Sequence, residues 1–491
     1  MTSLWLADAP RIETDRFEAG AEFDEVIVGA GITGLVTALL LARAGRRVAV
    51  VEARFIGAAA TGNTTAKLTQ LQGTHLQKIK QSMYQAVVQA YADGNREAFE
   101  WMTHYLTDRG VAVDRRDAIT YATTADGAAR VRTEYELARS VGLDVQLEAD
   151  VALPFPTTAA VVLADQAQFN PMEVLAALAA DFRALGGRIF EGARVTAARA
   201  SDPVRVTTSL GELHGRHLVL ASGVPMLDRG LYFAKLRAHR SYALAFDLPE
   251  SKLPHGMYLN AESPTRSIRT YRGRLITGGN GHPVGRSPSP AAAIAELERW
   301  SQVHWPGAAL AATWAAQDYI APHHVPFVGR LPRGRGRIFL ATGYDKWGMT
   351  NGVAAAMTLV ADILGARHTD WQRVLRHRVT MPRALATGIG DNAAVGWWYA
   401  KGYARALSTR LPAGDPPNGS AVVGRVGVLP AGRATVDGVT CAVSLVCPHL
   451  YAALGWNDGE KSWDCPAHGS RFAADGSRLE GPATGDLRRL G

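Results

Sequence analysis

Residues Asp24–Arg54 read DEVIVGAGITGLVTALLLARAGRRVAVVEAR, which predicts a β-strand, a glycine turn, an α-helix and a second strand. The turn has G-x-G-x-x-G spacing: Gly29 permits a tight bend, Gly31 lets backbone approach a pyrophosphate, and Gly34 lets helix pack on strand. Glu52 ends the second strand, where a carboxylate can accept hydrogen bonds from ribose hydroxyls. A glycine-rich turn without a ligand is the alternative, but the four features together favour a dinucleotide site in an α/β fold.

The number of such fingerprints indicates which dinucleotide is bound. A protein that binds both FAD and NAD through this fold needs two fingerprints, and no second one follows in the sequence. The segment GGNGHPVG (278–285) has a different spacing and opens no predicted helix. The single site therefore favours FAD, with an electron source other than NAD(P)H.

Composition sets the class of protein. The 491 residues are enough for two or three domains, and the shares of hydrophobic (47%) and charged (20%) residues are those of a globular protein. The net charge of +8 comes from scattered arginines, so nucleic-acid binding is not expected. The N-terminus lacks a signal-peptide core, and no apolar run reaches the roughly 18 residues of a membrane span. Three cysteines make no disulfide framework, so we expect a cytoplasmic protein.

Two later segments extend the flavoprotein pattern. RHLVLASGV (Arg216–Val224) is a strand ending in Ala-Ser-Gly, and GRIFLATGYDKWGMTNGVAAAMTLVADILG (336–365) is a strand, a loop and a long helix. With the fingerprint, they resemble the D-amino-acid-oxidase-like superfamily, which includes glycine and sarcosine oxidases, over about residues 20–370. The resemblance implies a Rossmann-type nucleotide domain and an α+β substrate sheet. The nucleotide pieces are expected at about 20–75, 155–225 and 320–370, and the substrate-side sheet at about 225–320.

The same resemblance implies how FAD is held. Loop Gly343–Gly352 would present backbone N–H groups and a helix N-terminus to the flavin, Val195 would offer its backbone to the adenine, and TGNTTAKLT (Thr61–Thr69) would wrap the pyrophosphate and flavin ring. No cysteine lies near VPFVGR (325–330), where some relatives attach FAD, so non-covalent FAD is expected. The expected FAD-binding residues are Gly29, Gly31, Ile32, Thr33, Gly34, Glu52, Ala53, Arg54, Thr61, Thr64, Thr65, Ala66, Lys67, Leu68, Val195, Ala221, Ser222, Gly223, Gly343, Trp347, Gly348, Met349 and Thr350.

A second group of candidate ligand side chains lies near the C-terminus, in VCPHLYAALGWNDGEKSWDCPAHGSRF (Val446–Phe472). Two of the three cysteines stand there, as Cys447-x-His449 and Cys465-x-x-His468. Four such side chains suit a tetrahedral zinc site. They also suit a Rieske [2Fe–2S] cluster, in which two thiolates bind one iron and two imidazoles the other. The surrounding short alternating strands favour the cluster over a ββα zinc finger.

The segments CPHL, CPAHGS and LEGPA (Leu479–Ala483) resemble the two ligand loops and the proline loop of Rieske proteins. Ala452 and Ala467 stand where respiratory members carry a disulfide. Ser470 matches a serine that hydrogen-bonds the cluster, whereas Phe472 replaces a tyrosine, so the resemblance implies an intermediate or low potential. The implied iron ligands are Cys447, His449, Cys465 and His468.

The predicted organisation is an N-terminal extension (1–19), a flavoprotein part (20–370), a helical connector (371–411) and a Rieske domain (412–491). This order resembles bacterial FAD-dependent oxidoreductases fused to Rieske domains. The connector carries Trp397, Trp398, Tyr399 and Tyr403, which can dock on the flavoprotein or lie on a membrane surface. Docking is favoured, because a loosely tethered cluster would transfer electrons poorly.

The resemblance implies oxidation of a C–N bond of a small amine, amino acid or amine-containing metabolite to an imine. Electrons would pass singly from FAD to the cluster and on to a ferredoxin-like carrier. The alternatives are an electron-transfer protein that serves a partner enzyme, and a flavin oxidase or monooxygenase that uses oxygen. A Rieske oxygenase is disfavoured, because the sequence lacks the Asp/Asn-x2-His-x3–4-His spacing of a mononuclear iron site.

Residues near the substrate are predicted from one hairpin and the helix-leading loop. Arg269, in the hairpin TRSIRTYRGRLITGGNGH (265–282), can clamp a carboxylate in bidentate fashion, although a surface strand arginine is the simpler interpretation. Hydride transfer from a neutral amine requires no strong base, so no catalytic base is predicted. The other candidates near the flavin ring are His282, Tyr242, Tyr258, Tyr319, Lys346 and Trp347.

Overall fold

The computed structural model describes residues 1–379 and 381–490. Within them the chain forms two β-sheets with flanking helices, followed by a long helix and a small β domain. The helices are α1 (Leu4–Ala7), α2 (Ile32–Arg43), α3 (His75–Ser82), α4 (Gln85–Asp108), α5 (Ala125–Ser140), α6 (Pro171–Ala184), α7 (Tyr232–Lys235), α8 (Pro290–His304), α9 (Gly348–Leu364), α10 (Asp370–Arg376) and α11 (Pro382–Leu407).

The two large sheets take up the flavoprotein part of the chain. Their strands are β1 (Glu22–Val28), β2 (Val48–Val51), β3 (Lys67–Leu68), β4 (Val113–Ala122), β5 (Val145–Glu148), β6 (Ala159–Phe169), β7 (Arg188–Phe190), β8 (Val195–Arg199), β9 (Val204–Thr208), β10 (Gly211–Leu220), β11 (Arg237–Asp247), β12 (Met257–Asn260), β13 (Arg266–Tyr271), β14 (Arg274–Pro283), β15 (Ala309–Ile320), β16 (Phe327–Arg330) and β17 (Ile338–Thr342).

The first sheet has the order β16-β17-β10-β1-β2-β7, with β9 and β8 continuing beside β10. Strand β1 pairs in parallel with both β10 and β2. All four residues of β2 are buried, as expected for a parallel strand covered on both faces. Helices α2 and α9 pack against each other over this sheet. The glycine fingerprint thus lies at the carboxyl ends of β1 and β10, which confirms the predicted Rossmann-type α/β fold.

The second sheet has the order β15-β11-β14-β13-β12-β4-β6-β3, with β5 beside β6. Strands β11 to β15 come from the region expected to form a substrate-side sheet. The position of strand β6 differs from the prediction, in which residues 155–225 belong to the nucleotide side. A long antiparallel ladder with β4 draws β6 into the second sheet, so only the later part of that piece joins the first.

The N-terminal segment is part of the flavoprotein core. Helix α1 begins after Ser3, whose hydroxyl caps the helix by accepting from Leu6 N. Trp5 is completely buried, and its indole N–H donates to Thr64 O at 2.6 Å. The segment expected to be an extension therefore braces the stretch predicted to wrap the cofactor.

The C-terminal domain consists of two small antiparallel sheets, ordered β18-β19-β20-β25 and β21-β22-β23-β24. This agrees with the small all-β domain predicted for this part of the chain. Its strands are β18 (Ala421–Val426), β19 (Leu429–Val436), β20 (Val439–Ser444), β21 (Gly455–Asn457), β22 (Ser462–Asp464), β23 (Arg471–Ala473), β24 (Arg478–Glu480) and β25 (Arg489–Leu490).

Helix α11 contacts both parts of the protein. On the flavoprotein side, Asp391 forms an ion pair with Arg237 at 3.2 Å. On the C-terminal side, the hydroxyls of Tyr399 and Tyr403 donate to carbonyl oxygens in the first ligand loop, at 3.1 and 2.7 Å. The helix therefore contacts the flavoprotein through Asp391, whereas its tyrosines contact the C-terminal domain and not the flavoprotein, on which their docking is predicted. None of the helices in residues 1–379 and 381–490 combines the length and apolar character of a membrane span.

Gly34 supplies a test of the helix-to-strand packing. A Cβ at this position would clash with the carbonyl oxygen of Gly29, so Gly34→Ala forces the helix away from the strand. We expect a loss of about 1–3 kcal/mol in the free energy of unfolding, as for other overpacked sites. Urea unfolding measures it.

Gly396→Ala is the matched control, because this helical glycine has open space where a Cβ would stand. It should stabilise α11 by up to about 1 kcal/mol. Equal effects of the two substitutions would contradict the packing role of Gly34.

Candidate active site and cluster site

A cavity of about 810 Å³ lies between the two large sheets. At its nucleotide end the carboxylate of Glu52 is fixed by two backbone donors: Ala30 N bonds Oε2 at 3.0 Å, and Arg54 N bonds Oε1 at 3.0 Å. A Cβ on Gly31 would lie 3.0 Å from Thr61 Oγ1, so a side chain at this position would crowd the wall of the cavity. The end of the cavity therefore has the carboxylate and the close backbone approach that a dinucleotide needs.

Most of the predicted FAD-binding residues line this cavity, but four do not. Gly34 packs against Gly29, Ala66 and Leu68 are buried in the core, and Thr350 Oγ1 accepts a hydrogen bond from Gln72 Nε2 at 3.0 Å. The lining residues from the predicted set are Gly29, Gly31, Ile32, Thr33, Glu52, Ala53, Arg54, Thr61, Thr64, Thr65, Lys67, Val195, Ala221, Ser222, Gly223, Gly343, Trp347, Gly348 and Met349.

Helix α9 begins at this cavity. Its N-cap, Trp347, forms no side-chain capping bond, so the first N–H groups of the helix lack that partner. Gly348 and Met349, at the start of the helix, line the cavity. An uncapped N-terminus stabilises negative charge through its dipole. The residues present fit an electron-rich flavin edge.

Arg269 requires a correction. Its guanidinium is fully buried, does not line the cavity, and stacks over the Trp5 ring at 5.3 Å. It donates to the carbonyl oxygens of Thr65 and Ala66, the latter at 2.9 Å. Burial lowers the pKa of Arg269 to about 9. Arg269 therefore ties the cofactor-wrapping segment to the sheet, and a substrate carboxylate cannot reach it.

His282 and Tyr258 also lie outside the cavity wall. His282 Nε2 is 2.8 Å from the hydroxyl of Tyr242, which stands between this imidazole and the cavity. The Tyr258 hydroxyl donates to Ala152 O at 3.4 Å, and its own carbonyl accepts from Lys67 Nζ at 2.6 Å. Both are supporting residues. The remaining candidates, Tyr242, Tyr319, Lys346 and Trp347, do line the cavity.

Lys67 and Lys346 both line the cavity, Lys67 as a buried side chain and Lys346 as an exposed residue. Desolvation by the surrounding protein lowers the pKa of both. Nζ of Lys67 donates to Tyr258 O and, at 2.8 Å, to Ser267 Oγ. Lys346 is held through its backbone, because its N–H donates to the carboxylate of Asp318, whose pKa burial raises to about 6.

The four predicted iron ligands form a pair of thiols and a pair of imidazoles. Cys447 and Cys465 are buried and unbridged, and hydrogen bonding between them lowers the pKa of the Cys447 thiol. The imidazole rings of His449 and His468 have centroids 5.3 Å apart. Nowhere in residues 1–379 and 381–490 do three or more His, Cys, Asp or Glu side chains converge on a single ion. A thiol pair and an imidazole pair match a centre with one iron for each.

The donor atoms also have the surroundings such a centre needs. Nδ1 of His468 is buried without a hydrogen-bond partner, which leaves it available as a ligand. Nε2 of His449 lies 3.1 Å from Asp228 Oδ1, so the carboxylate orients this ring and leaves Nδ1 for iron. The Ser470 hydroxyl accepts from Ala483 N at 3.0 Å and thereby ties the second ligand loop to the proline loop. The residues present fit a [2Fe–2S] cluster.

A buried ionic network, missed by the sequence analysis, fixes the C-terminal domain on the flavoprotein. Arg240 of β11 donates from Nε to Glu460 Oε1 at 2.7 Å and from Nη1 to Glu480 Oε1 at 3.1 Å. Arg471 pairs with the same Glu460 at 2.9 Å and with Asp464 at 3.0 Å. Despite burial, the two arginines lower the pKa of Glu460 to about 2, so it stays charged. Arg240 looks like any strand arginine in the sequence, because its partners are more than 200 residues away.

The docked domain completes the wall of the large cavity. Residues 478–483, which include the proline loop, line it together with the glycine fingerprint. Gln317, also in the wall, donates from Nε2 to Gly469 O at 2.8 Å and to the Tyr319 hydroxyl at 2.9 Å. Gly469 directly follows the ligand His468. Phe233 contacts both His449 and His468, each at 4.9 Å between ring centroids. The two candidate sites are therefore adjacent, and the imidazoles face the flavoprotein.

Comparison with known proteins identifies two families along the chain. Residues 24–362 match the family of FAD dependent oxidoreductases, and residues 401–490 match the Rieske [2Fe-2S] domain. The chain is 29% identical over 500 residues to YhfW of Bacillus subtilis (strain 168), named as a Rieske 2Fe-2S iron-sulfur protein, with 100% of this chain and 96% of YhfW covered.

Two crystal structures share the fold of the flavoprotein part. Glycine oxidase from Geobacillus kaustophilus superimposes with a TM-score of 0.60 at 20% identity, covering 71% of this chain and 96% of the oxidase. L-proline dehydrogenase from P. horikoshii superimposes with a TM-score of 0.62 at 17% identity, covering 72% and 96%.

Arg240→Met tests the ionic network. The substitution leaves Glu460 and Glu480 buried without one of their cations, and breaking such a network costs about 3–5 kcal/mol. We expect the C-terminal domain of this variant to unfold at a lower urea concentration than that of the wild-type protein. We also expect protease to cleave the 371–411 connector faster in the variant. Arg489→Met is the control, because Arg489 pairs with Asp475 at the surface, where a pair contributes at most about 1 kcal/mol. Similar losses in both variants would contradict the proposed anchoring.

Proposed function

This chain belongs to the family of FAD dependent oxidoreductases and carries a C-terminal Rieske [2Fe-2S] domain, and from that premise we propose that it is an amine or amino-acid dehydrogenase. It would oxidise a C–N bond of a small amine, amino acid or amine-containing metabolite to an imine. Electrons would leave singly through the cluster to an external, ferredoxin-like carrier. When bound, FAD supplies a two-electron acceptor for hydride and the cluster a one-electron acceptor.

The observation that carries the proposal is the shared wall. Residues 478–483 of the Rieske domain and the glycine fingerprint line one cavity, and Gln317 links that cavity to Gly469, next to a cluster ligand. A substrate oxidised in this cavity would give up its electrons beside the cluster. An oxidase that uses oxygen has no need of this arrangement, and an electron-transfer module that serves a partner enzyme would not be reduced by a small amine.

The substrate class follows from chemistry and from the relatives. The proteins of similar fold are named for glycine and L-proline, each of which has a C–N bond next to a C–H bond. Lys78 and Arg130 add cationic groups to the cavity wall, which would attract a carboxylate. The three cysteines are free, as expected in the reducing cytoplasm that we propose as its location.

Anaerobic mixing with a panel of amines and amino acids tests the proposal. An active substrate should bleach the flavin absorbance, and the EPR signal of the reduced cluster should follow. Cys465→Ser is the control, since it removes a cluster ligand and should leave bleaching without the EPR signal. Bleached flavin beside an oxidised cluster would contradict the relay, and rapid reoxidation by oxygen would favour an oxidase.

Gln317→Leu tests the link between the two sites. Leucine removes the hydrogen bond to Gly469 O and has a side chain of similar size to that of glutamine. We expect the rate of cluster reduction, relative to that of flavin bleaching, to fall by about tenfold or more, as when partners of metal ligands are removed. Stopped-flow absorbance measures both rates.

Ser289→Ala is the matched control for this substitution. Ser289 bonds Asp458 at 2.7 Å in the same domain interface, away from the ligand loops. Its loss should leave the ratio of the two rates unchanged. An unchanged ratio in Gln317→Leu would contradict the bridging role of Gln317.

A further inference from the structure

A histidine that the mechanism above does not use stands in the cavity wall. His324 lines the cavity, and its side chain is 22% exposed. Its Nδ1 lies 2.6 Å from Asp345 Oδ2. Among the hydrogen bonds of the described residues, none reaches its Nε2. When Nδ1–H donates to the carboxylate, Nε2 carries a free lone pair, so this edge of the ring can accept a proton.

The carboxylate partner is buried and charged. Burial opposes the charge of Asp345, but hydrogen bonding from His324 and the charges around it hold its pKa far below the usual range. His75 lies behind it, with Nδ1 at 3.6 Å from the same oxygen and Nε2 at 3.0 Å from His324 O. Burial lowers the pKa of His75 to about 3, so His75 stays neutral. The negative charge of Asp345 is therefore available to pair with a protonated His324.

The loop that carries Asp345 is held in an uncommon conformation. Asp345 and Lys346 have φ of 47° and 73°, in the left-handed region that few residues other than glycine adopt. Two such residues in succession are costly, and strain of this kind clusters at functional sites. The conformation places the carboxylate at His324 Nδ1 and the backbone N–H of Lys346 at Asp318.

We infer that His324 is the catalytic proton acceptor for the substrate amine, with Asp345 as the residue that positions it. This inference rests on the proposed amine oxidation. An alkylammonium has no lone pair at nitrogen to drive hydride loss from the neighbouring carbon. His324 Nε2 takes one N–H proton and becomes an imidazolium paired with Asp345. The free amine could then give up a hydride, for which bound FAD would supply the acceptor, and would be left as the iminium ion.

Other charged and titratable groups surround the pair. Lys78, on the same helix as His75, lines the cavity and faces Asp345. His323, the neighbour of His324, is directed at Phe327 instead, with ring centroids 4.9 Å apart. The negative charge of Asp345 thus meets His324 on one side and neutral His75 behind it. Lys78, Lys346, Asp318 and His239 lie nearby in the same cavity wall. A proton taken up by His324 would be stabilised mainly by Asp345.

The test is the pH dependence of flavin bleaching by an active amine under anaerobic conditions. His324→Gln should lower the rate at pH 7 by about 100-fold, the usual contribution of a general base. The rate should recover as the pH rises toward about 10, where an alkylamine loses its proton in solution. A merely structural role would lower the rate at every pH. His323→Gln is the control and should keep the wild-type pH profile.

A second measurement is independent of turnover. In the oxidised protein, ¹⁵N NMR of labelled histidine should report His324 with Nδ1 protonated and Nε2 free, and Asp345→Asn should shift that signal. A tautomer protonated at Nε2, an unchanged rate in His324→Gln, or a loss without recovery at high pH would each overturn the role of His324. If no amine bleaches the wild-type flavin, the proposed function itself fails, whatever the tautomer.

Discussion

The arrangement of this protein depends on one buried guanidinium. Arg240 projects from a central strand of the second sheet and meets Glu460 and Glu480 of the Rieske domain, with Arg471 balancing the remaining charge. Burying so many charges is costly unless each is paired, so we expect the network to favour the relative position of the two domains in which every charge has its partner. Ion pairs of this kind specify an arrangement more than they stabilise it.

That position decides what the cluster faces. His449 and His468 abut Phe233, and Asp228 holds the His449 ring, so both imidazoles point to the flavoprotein. The proline loop at the same time closes one side of the large cavity. On the proposed function, substrate chemistry and electron removal would share one compartment, and His324 would have a partly enclosed setting for proton transfer.

Local patterns were enough to predict the Rossmann-type fold, the glycine fingerprint and the Rieske domain, because each depends on spacings within a short stretch of chain. Contacts between distant segments were not predictable. Arg269 reads like a substrate clamp, yet it is buried under Trp5, a residue 264 positions earlier that looked like part of an extension. Strand β6 belongs to the second sheet and not, as predicted, to the first, because it pairs with β4, which comes from another segment of the chain. Arg240 and Gln317 gain their roles only when the two domains meet.

The central claim is that electrons cross from the flavin cavity to the cluster of the same molecule. The most direct test is the rate constant of cluster reduction after flavin bleaching, followed by stopped flow over a wide range of protein concentration. Transfer within the docked chain predicts a first-order rate constant that is the same at every concentration. A rate constant that rises in proportion to protein concentration would mean transfer between molecules and would contradict the account.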